Sequence, residues 1–286
     1  MTEIAQEIGP VSEAVIVDSV RITPDDRDEV RRIRLRVDDP AFRFLPGHLI
    51  GVVVPGPHAF GNRYHTRRYS IASGSKTLTG EGIEFDLLVR RCFLIDEFSG
   101  ERHPGVASHF LCDATAGQHI TITGPFRSPF RIPERDDANL LMIGTGTGVA
   151  PFRAFIQEIY SRKTGWHGQV RLYYGARTGM DLLYQNDEFD DLANYYDRDS
   201  FKAFRAVMSK PMASENDTFE AAIAGNAQDI WELMQDAKSH VYLAGINRVA
   251  DAFDRLMQEA ATSQSVWRET KAWMQKEGRW SELIYS

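Results

Sequence analysis

In the second half of this 286-residue sequence, short apolar segments alternate with amphipathic segments of helical periodicity. The segment NLLMIG is predicted to be a buried strand, and APFRAFIQEIYSRK places Phe152, Phe155, Ile156 and Ile159 on one face of a helix. The alternation continues through QVRLYYG, EFDDLANYY, FKAFRAVMS, AQDIWELMQDA, HVYLAGI and RVADAFDRLMQEAA, before a last helix, WRETKAWMQKEGRW, and a short tail. This alternation predicts a parallel sheet covered by helices on both faces.

The first half shows strand patterns and little helix. In EVRRIRLRV, Ile33, Leu35 and Val37 alternate with arginines, which is the pattern of a half-buried strand. Further short apolar runs are bounded by glycine, proline or serine: LIGVVVPG, RRYSIAS, GIEFDLLVRR and QHITITGP. With one brief helix predicted at Val106–Ala114, this half predicts a β-barrel. The polar stretch IPERDDAN predicts the boundary between a domain at 1–136 and a domain at 137–286.

Charge and composition narrow the class of protein. The net charge of −7 argues against a nucleic-acid binder. No apolar run approaches the roughly 18 residues of a membrane span, and the first residues show no signal-peptide pattern, so a cytoplasmic location is expected. The two cysteines are too few to hold an iron–sulfur cluster and are expected to be unpaired thiols. The histidines show no metal-ligand spacing, and no metal site is predicted.

A glycine-rich turn joins the first strand of the second half to its helix. It contains Gly144, Thr145, Gly146, Thr147 and Gly148. Glycine lets an anionic ligand approach the backbone, and a helix N-terminus favours negative charge. The spacing is G-x-G-x-G, which is neither the dinucleotide fingerprint nor a P-loop. The turn therefore indicates either a diphosphate site or a tight structural turn.

The ends of the next two strands favour NADP(H) over NAD(H). A site for NAD carries an acidic residue at the end of its second strand, where this chain has Arg177. The third strand ends near Ser209 and Lys210. Cations with hydroxyl groups suit a 2′-phosphate, although ordinary surface charges would give the same pattern.

The stretch RRYSIAS suits a ligand that is part anion and part aromatic ring. Strand alternation separates Arg67 and Tyr69 from Ser70, unless twist or a bulge lets neighbours share the ligand. Arginine would meet a pyrophosphate, tyrosine would stack on a flavin ring, and serine would reach a ring nitrogen. An edge strand with solvated arginines is the equally open alternative.

From about Pro46 to Tyr285, the chain resembles the plant-type ferredoxin–NADP⁺ reductases. RRYSIAS resembles the flavin motif R-x-Y-S-x-x-S of that family, and LLVRR resembles the strand that follows it. The family's later motifs are matched, in order, by GVASHFLCDATAGQHITITGPF, IGTGTGVAPFRAF, YLAGINRVADAFDRLM and GRWSELIYS. The resemblance implies a β + α/β architecture, with an N-terminal antiparallel FAD-binding β-barrel followed by a C-terminal parallel-sheet α/β NADP-binding domain.

The resemblance also implies roles for individual residues. Arg67 would bind the FAD pyrophosphate, Tyr69 would stack on the isoalloxazine, and Ser70 would contact the flavin N5 edge and relay a proton. Tyr285 would stack on the flavin face that nicotinamide enters and would thereby act in catalysis. The remaining predicted cofactor contacts are Ile71, Ala72, Leu88, Val89, Arg90, Gly105, Val106, Ala107, Ser108 and Gly245.

Several positions depart from the family pattern. Ala244 replaces a cysteine of the nicotinamide pocket, Leu283 replaces an acid two residues before the tyrosine, and the chain continues to Ser286. Glu282 lies one place from that acid position. The tail SELIYS is expected to be weakly anchored and to act as a gate, or else to be a fixed edge strand.

The activity implied by the resemblance is electron transfer between NADP(H) and a small one-electron carrier, ferredoxin or flavodoxin, with hydride moving between nicotinamide C4 and flavin N5. The protein is expected to be a monomer whose acidic partner docks on a basic rim. The arginines available for that rim and for the cofactors are Arg31, Arg32, Arg34, Arg36, Arg67, Arg68, Arg90, Arg91, Arg127, Arg131 and Arg135. Alternatives are a reductase component that supplies an oxygenase and a flavin-binding sensor or regulatory subunit without turnover.

Overall fold

The computed structural model describes residues 8–58, 61–74, 82–96, 98–162, 164–176, 201–207 and 219–285, with residues 176, 204–207, 219, 246, 248 and 285 described by their backbone alone. The chain divides into two compact units. The first unit runs to Ser128 and also takes in Arg153–Phe155, and the second comprises Pro129–Phe152 and Ile156–Ser286. The functional limits predicted from the sequence, 1–136 and 137–286, stay a prediction.

The first unit is built on an antiparallel six-stranded sheet in the order β4-β3-β8-β1-β2-β5. Among the described residues, a separate hairpin, β6–β7, and a short helix, α1, accompany it. The elements are β1 (Val11–Arg21), β2 (Val30–Val37), β3 (Leu49–Pro55), β4 (Tyr64–Ser70), β5 (Ile83–Arg90), β6 (Phe93–Ile95), β7 (Arg102–Pro104), α1 (Val106–Cys112) and β8 (His119–Phe126).

The sheet closes on itself where the chain leaves β4. Ile71 forms an antiparallel bridge with Leu87 of β5, and the Ala72 amide donates to the Asp86 carbonyl at 2.8 Å. The inward residues of each strand fill the interior, as the period of two predicts: Ile33, Leu35 and Val37 of β2 are buried. The predicted β-barrel is therefore confirmed, and these inward residues form its apolar core.

The second unit contains an all-parallel five-stranded sheet in the order β11-β10-β9-β12-β13. Its strands are β9 (Asn139–Thr145), β10 (Val170–Ala176), β11 (Phe201–Val207), β12 (Ser239–Ile246) and β13 (Trp280–Tyr285). Its helices are α2 (Val149–Ser161), α3 (Phe219–Ala224), α4 (Ala227–Gln235), α5 (Asn247–Ala260) and α6 (Gln264–Lys276). The predicted strand–helix alternation is confirmed in the residues described, and the predicted helix EFDDLANYY lies outside them.

The order of this sheet reverses between β9 and β12. Chain order runs outward from β9 through β10 to β11 on one side, and through β12 to β13 on the other. In open parallel sheets, ligands bind at the carboxyl ends of the strands where the order reverses. The fold therefore directs attention to the ends of β9 and β12, where the glycine-rich turn begins.

Within the described ranges, no helix has the length and apolar character needed to cross a membrane.

Candidate functional site

Strand β4 carries the predicted flavin-contacting residues in three different environments. Arg67 is exposed, Tyr69 is half-buried against the barrel core, and Ser70 is buried opposite Leu49 of β3. Burial raises the pKa of Tyr69 above its ordinary value, and the Arg67 guanidinium opposes that rise more weakly. The phenol consequently stays neutral and offers an aromatic face beside a cation.

The arginines predicted for the basic rim and the cofactors fall into two groups, those paired with a carboxylate and those that are not. Several of the predicted rim residues are paired with carboxylates, and they are Arg31, Arg32, Arg34, Arg36, Arg91 and Arg135. In the part of the chain that the structure describes, neither Arg67 nor Arg90 makes an ion pair or a hydrogen bond through its side chain. Arg68 instead lies over the Phe126 ring at 4.2 Å. The predicted basic rim is therefore smaller than the arginine count suggests, because carboxylates compensate much of its charge.

The turn at the start of α1 lies beside the end of β5. The Gly105 amide donates to the Cys92 carbonyl at 2.9 Å, and a Cβ at Gly105 would meet the Ser108 oxygen at 2.8 Å. The Ser108 hydroxyl donates to the Gly105 carbonyl and accepts from the Cys92 amide, both at 3.1 Å. Ser108 thus already has a structural role, and an added anion would rely more on the backbone amides of Val106 and Ala107.

The two thiols have different environments. Cys92 is exposed, whereas Cys112 is buried under β5. Burial raises the pKa of Cys112 to about 12, so this thiol stays protonated and unreactive. Neither is in a disulfide.

The glycines of the turn after β9 have different functions. A Cβ at Gly148 would lie 2.6 Å from the Ala244 carbonyl oxygen, and one at Gly144 would lie 2.8 Å from the Phe152 ring and 2.9 Å from the same oxygen. These two glycines permit close packing of the turn on β12. Gly146 has a φ of +55°, and a Cβ there would meet no atom within 4 Å in the part of the chain that the structure describes.

A hydrogen bond holds the Gly146 carbonyl, while the side of Gly146 where a Cβ would lie is open. The Tyr174 hydroxyl donates to the Gly146 carbonyl at 2.9 Å. The following turn, Gly146–Gly148, leads directly into α2, whose first turn contains no acidic side chain. Together the open glycine and the helix N-terminus form a cradle that suits a diphosphate.

The carboxyl edge of the parallel sheet gathers several further predicted residues. Gly245 has a φ of +150°, and a Cβ there would lie 2.9 Å from the Thr145 hydroxyl. In the β12–β13 register, Gly245 is opposite Ile284 and Ile246 is opposite Tyr285, so the Tyr285 backbone reaches the same edge. Strands β10 and β11 end at Ala176 and Val207. Arg177, Ser209 and Lys210 follow these ends and lie outside the described residues.

The tail is more firmly anchored than predicted. The Trp280 ring packs on Trp267 and Phe253, with ring centroids 5.6 and 5.9 Å apart. Glu282 accepts from the Trp280 indole at 2.6 Å and pairs with Lys271 at 3.2 Å. The expectation of a weakly anchored tail was wrong, because β13 is the edge strand of the sheet and pairs with β12, as the alternative of a fixed edge strand predicted. Glu282 therefore faces α6, which carries Lys271.

A separate depression of about 430 Å³ lies at the opposite, amino edge of this sheet. Its walls include Asn139, Gln169, Arg171 and Lys202, together with acidic residues of α4. It contains none of the predicted cofactor residues, and its mixed charges do not favour one ligand.

The sequence did not predict a role for Asp86 and Arg153. Asp86 is an acid within the apolar strand FDLLV, and Arg153 lies between two apolar residues of α2, which is the one local signal available. Both are buried and hydrogen-bonded to each other.

The residues present fit the two cofactors predicted from the sequence. In the first unit, Arg67 is a cation beside the half-buried Tyr69 on the barrel core, and within the described residues neither Arg67 nor Arg90 is paired with a carboxylate. The second unit offers the open cradle at Gly146. Among the described residues, no group of His, Cys, Asp or Glu is arranged to hold a metal ion.

Comparisons with known proteins agree with this arrangement. Residues 142–255 match the family described as an oxidoreductase NAD-binding domain. The chain is 31% identical over 265 residues to the ferredoxin–NADP reductase of Spirulina sp., covering 90% of this chain and 88% of that protein. It is 32% identical over 249 residues to the Synechocystis sp. ferredoxin–NADP reductase, covering 85% of this chain but only 60% of that longer protein.

Solved structures extend the likeness to the whole fold. The ferredoxin–NADP⁺ reductase of Plasmodium falciparum with 2′P-AMP superposes with a TM-score of 0.71 at 18% identity, over 96% of each chain. The two-unit fold is thus that of these reductases, and the Spirulina relative is matched along most of its length. On these grounds the chain belongs to the ferredoxin–NADP reductase family.

Proposed function

We propose that the chain is an FAD-dependent oxidoreductase that transfers electrons between NADP(H) and ferredoxin. The observation that carries this proposal is the identity of about 31% with a ferredoxin–NADP reductase over 90% of the chain. Two parts of the structure support it independently. The residues around Tyr69 suit FAD, and the cradle at Gly146 suits the diphosphate of NADP(H).

In the first unit, we propose that Arg67 and Arg90 bind the FAD diphosphate and that Tyr69 stacks on the isoalloxazine. Buried Ser70 would hydrogen-bond at the N5 edge, where a hydroxyl can hold or pass a proton without a shifted pKa. Bound FAD supplies the chemistry that links a two-electron nucleotide donor to a one-electron carrier. The backbone around Ile71, Ala72, Leu88 and Val89 would exclude water from that edge.

In the second unit, we propose that Gly146 and its neighbouring amides hold the nucleotide diphosphate. Arg177, Ser209 and Lys210 follow strands that end at the same edge, and we propose that they contact the 2′-phosphate. The 2′P-AMP in the P. falciparum reductase supports the choice of NADP(H) over NAD(H).

The partner is proposed to be ferredoxin, with flavodoxin as a second carrier of the same kind. We further propose a monomeric protein in the cytoplasm, where free thiols such as Cys92 and Cys112 persist. Charges on a docking rim mainly set association rate and its salt dependence. Since many of the arginines are compensated, only a moderate salt effect is expected.

The test uses the purified protein and three successive measurements. A visible spectrum establishes whether a flavin is bound, anaerobic addition of NADPH or NADH establishes which nucleotide reduces it, and cytochrome c reduction with added ferredoxin establishes the carrier. Absence of flavin would overturn the proposal. A flavin that NADPH leaves oxidised would favour a sensor, and reduction without ferredoxin-dependent turnover would favour a reductase for another acceptor.

Replacing Arg67 should weaken FAD binding. Loss of a charge-assisted hydrogen bond costs about 1.5–3 kcal/mol, or roughly 10–150-fold in affinity. Arg67→Ala is therefore expected to raise the dissociation constant of FAD by that factor in a fluorescence titration of the apoprotein. Arg68→Ala is the matched control, because Arg68 is the next residue and stacks on Phe126. Equal affinities for the two variants would remove Arg67 from the site.

Replacing Arg177 should reduce the preference for NADPH. The Arg177→Ala variant is expected to lose catalytic efficiency with NADPH while keeping it with NADH, because only NADPH carries the 2′-phosphate. The measurement is kcat/KM with both nucleotides. Lys202→Ala serves as the control, since Lys202 lies at the amino edge of the sheet. An unchanged NADPH/NADH ratio in Arg177→Ala would contradict the assignment.

Replacing Tyr285 should tighten binding of NADP⁺ and slow turnover. If Tyr285 occupies the nicotinamide site, its removal ends a competition in which a stacked aromatic contributes about 0.5–1.5 kcal/mol, or roughly 2–10-fold. Tyr285→Ser should show this gain in a difference-spectrum titration. Ile284→Ser loosens the same strand without removing the ring and should show none. A tyrosine variant with wild-type affinity would show that Tyr285 lies elsewhere.

A further inference from the structure

Asp86 of β5 holds the segment that follows β4 through both of its backbone polar groups. The Asp86 carbonyl accepts from the Ala72 amide at 2.8 Å, and the Asp86 amide donates to the Ser73 hydroxyl at 3.0 Å. One residue along, Leu87 bridges to Ile71. The backbone of Asp86 therefore closes the barrel beside Ser70, the residue proposed to contact the flavin edge.

The side chain of Asp86 is held by two arginines. Its Oδ1 accepts from Arg34 Nε at 2.9 Å, and its Oδ2 accepts from Arg153 Nη1 at 3.2 Å. Asp86 is 3% exposed and Arg153 is 6% exposed, whereas the Arg34 side chain is 34% exposed. Of the two arginines that bind Asp86, Arg153 is therefore buried and Arg34 is partly exposed to solvent.

Arg153 makes one contact that Arg34 does not share. Its Nη1 also donates to the Ala72 carbonyl at 2.7 Å. Both backbone polar groups of Ala72 are consequently satisfied by the same pair of residues, the amide by Asp86 and the carbonyl by Arg153. The Ile71 amide is fixed as well, by the His48 carbonyl at 3.0 Å. Burial strengthens these hydrogen bonds and makes their loss costly.

We propose that Asp86 and Arg153 are positioning residues of the flavin site. They fix Ala72 from both sides and thereby set the backbone path of Ser70–Ala72, which must be held within a fraction of an ångström to keep a hydrogen bond at a ring edge. This inference rests on the proposed function, because it requires FAD to bind at that segment. It assigns a function in cofactor geometry to two residues that do not themselves contact the flavin.

The test compares three variants prepared as apoproteins and reloaded with FAD. Arg153→Met removes the contact to Ala72, Arg153→Lys keeps a cation that can restore part of it, and Arg34→Met removes an arginine from the same carboxylate without touching Ala72. For each variant we would measure the dissociation constant of FAD, the visible absorption and circular dichroism of the bound flavin, and Tm.

Arg153→Met is expected to weaken FAD binding about tenfold, because a displaced Ser70–Ala72 segment would lose about one hydrogen bond to the flavin, and to change the flavin bands. Arg153→Lys is expected to lie between it and wild type. Arg34→Met is expected to lower Tm while leaving FAD affinity and spectrum at wild-type values.

Four results would overturn the inference. If Arg34→Met loses as much FAD affinity per degree of Tm as Arg153→Met does, instability alone explains the weaker binding and the inference is wrong. A wild-type spectrum and affinity in Arg153→Met, or an Arg153→Lys variant no better than Arg153→Met, would equally contradict positioning. Wild-type apoprotein that takes up no FAD would instead overturn the proposed function, and the inference with it.

Discussion

The Asp86→Ala variant is expected to lose about 3–5 kcal/mol of unfolding free energy, the range found when one partner of a buried ion pair is removed. The loss arises because Arg153 stays buried without its carboxylate, while Arg34 is exposed enough to be hydrated. Urea denaturation with a fitted midpoint and m-value measures the change. The exposed pair of Arg36 with Asp38 provides the control, since Asp38→Ala should cost less than about 1 kcal/mol.

A double variant makes this prediction sharper. Removing both charges, in Asp86→Leu with Arg153→Met, leaves no buried ion without a partner, and such apolar replacements are often neutral or stabilising. The double variant should therefore be more stable than Asp86→Ala. If it is equally unstable, the cost comes from lost packing and backbone contacts rather than from the uncompensated charge.

The Gly148→Ala variant is expected to be destabilised by about 1–3 kcal/mol and to lose nucleotide binding, because its Cβ would lie 2.6 Å from the Ala244 carbonyl oxygen. The obstructing atoms belong to the backbone of β12, so neither a rotamer change nor a small shift of one side chain relieves the overlap. Chemical denaturation and a nucleotide titration report the two effects separately.

Gly146→Ala is the informative comparison. The added Cβ meets no atom of the described residues within 4 Å, so the expected cost is the roughly 1–2 kcal/mol of a left-handed backbone in a non-glycine residue. Its methyl group would nevertheless project from the surface proposed to hold the diphosphate. We expect a folded protein with weakened NADP⁺ binding. A Gly146→Ala variant less stable than Gly148→Ala would contradict the division of roles between these glycines.

The fold was largely predictable because its signals are local. Alternation in β2 identifies the buried face through Ile33, Leu35 and Val37, and the apolar run before the glycine-rich turn identifies β9. The strand–turn–helix at Gly146 requires only a few adjacent residues. Signals of this kind do not depend on knowing which distant segments meet.

The features that could not be predicted are contacts between residues that lie far apart in the sequence. Arg153 and Asp86 are 67 positions apart, and the sequence does not indicate which of many arginines reaches a buried carboxylate. The same limit explains why the positive charge of the basic rim was overestimated, since Arg91 pairs with Glu29, 62 positions away. The tail was misjudged because Trp280 is buried by helices α5 and α6, through Phe253 and Trp267.

The noncontiguous composition of the first unit has a consequence for protein engineering. A fragment ending at Ser128 would retain every strand of the barrel, yet it would lack Arg153–Phe155. In such a fragment Asp86 would keep Arg34 alone, and the Ala72 carbonyl would lose its guanidinium. The barrel is therefore not a portable module that a single cut can excise. A chimaera that transplants it would need to supply an equivalent of Arg153 from its new neighbour.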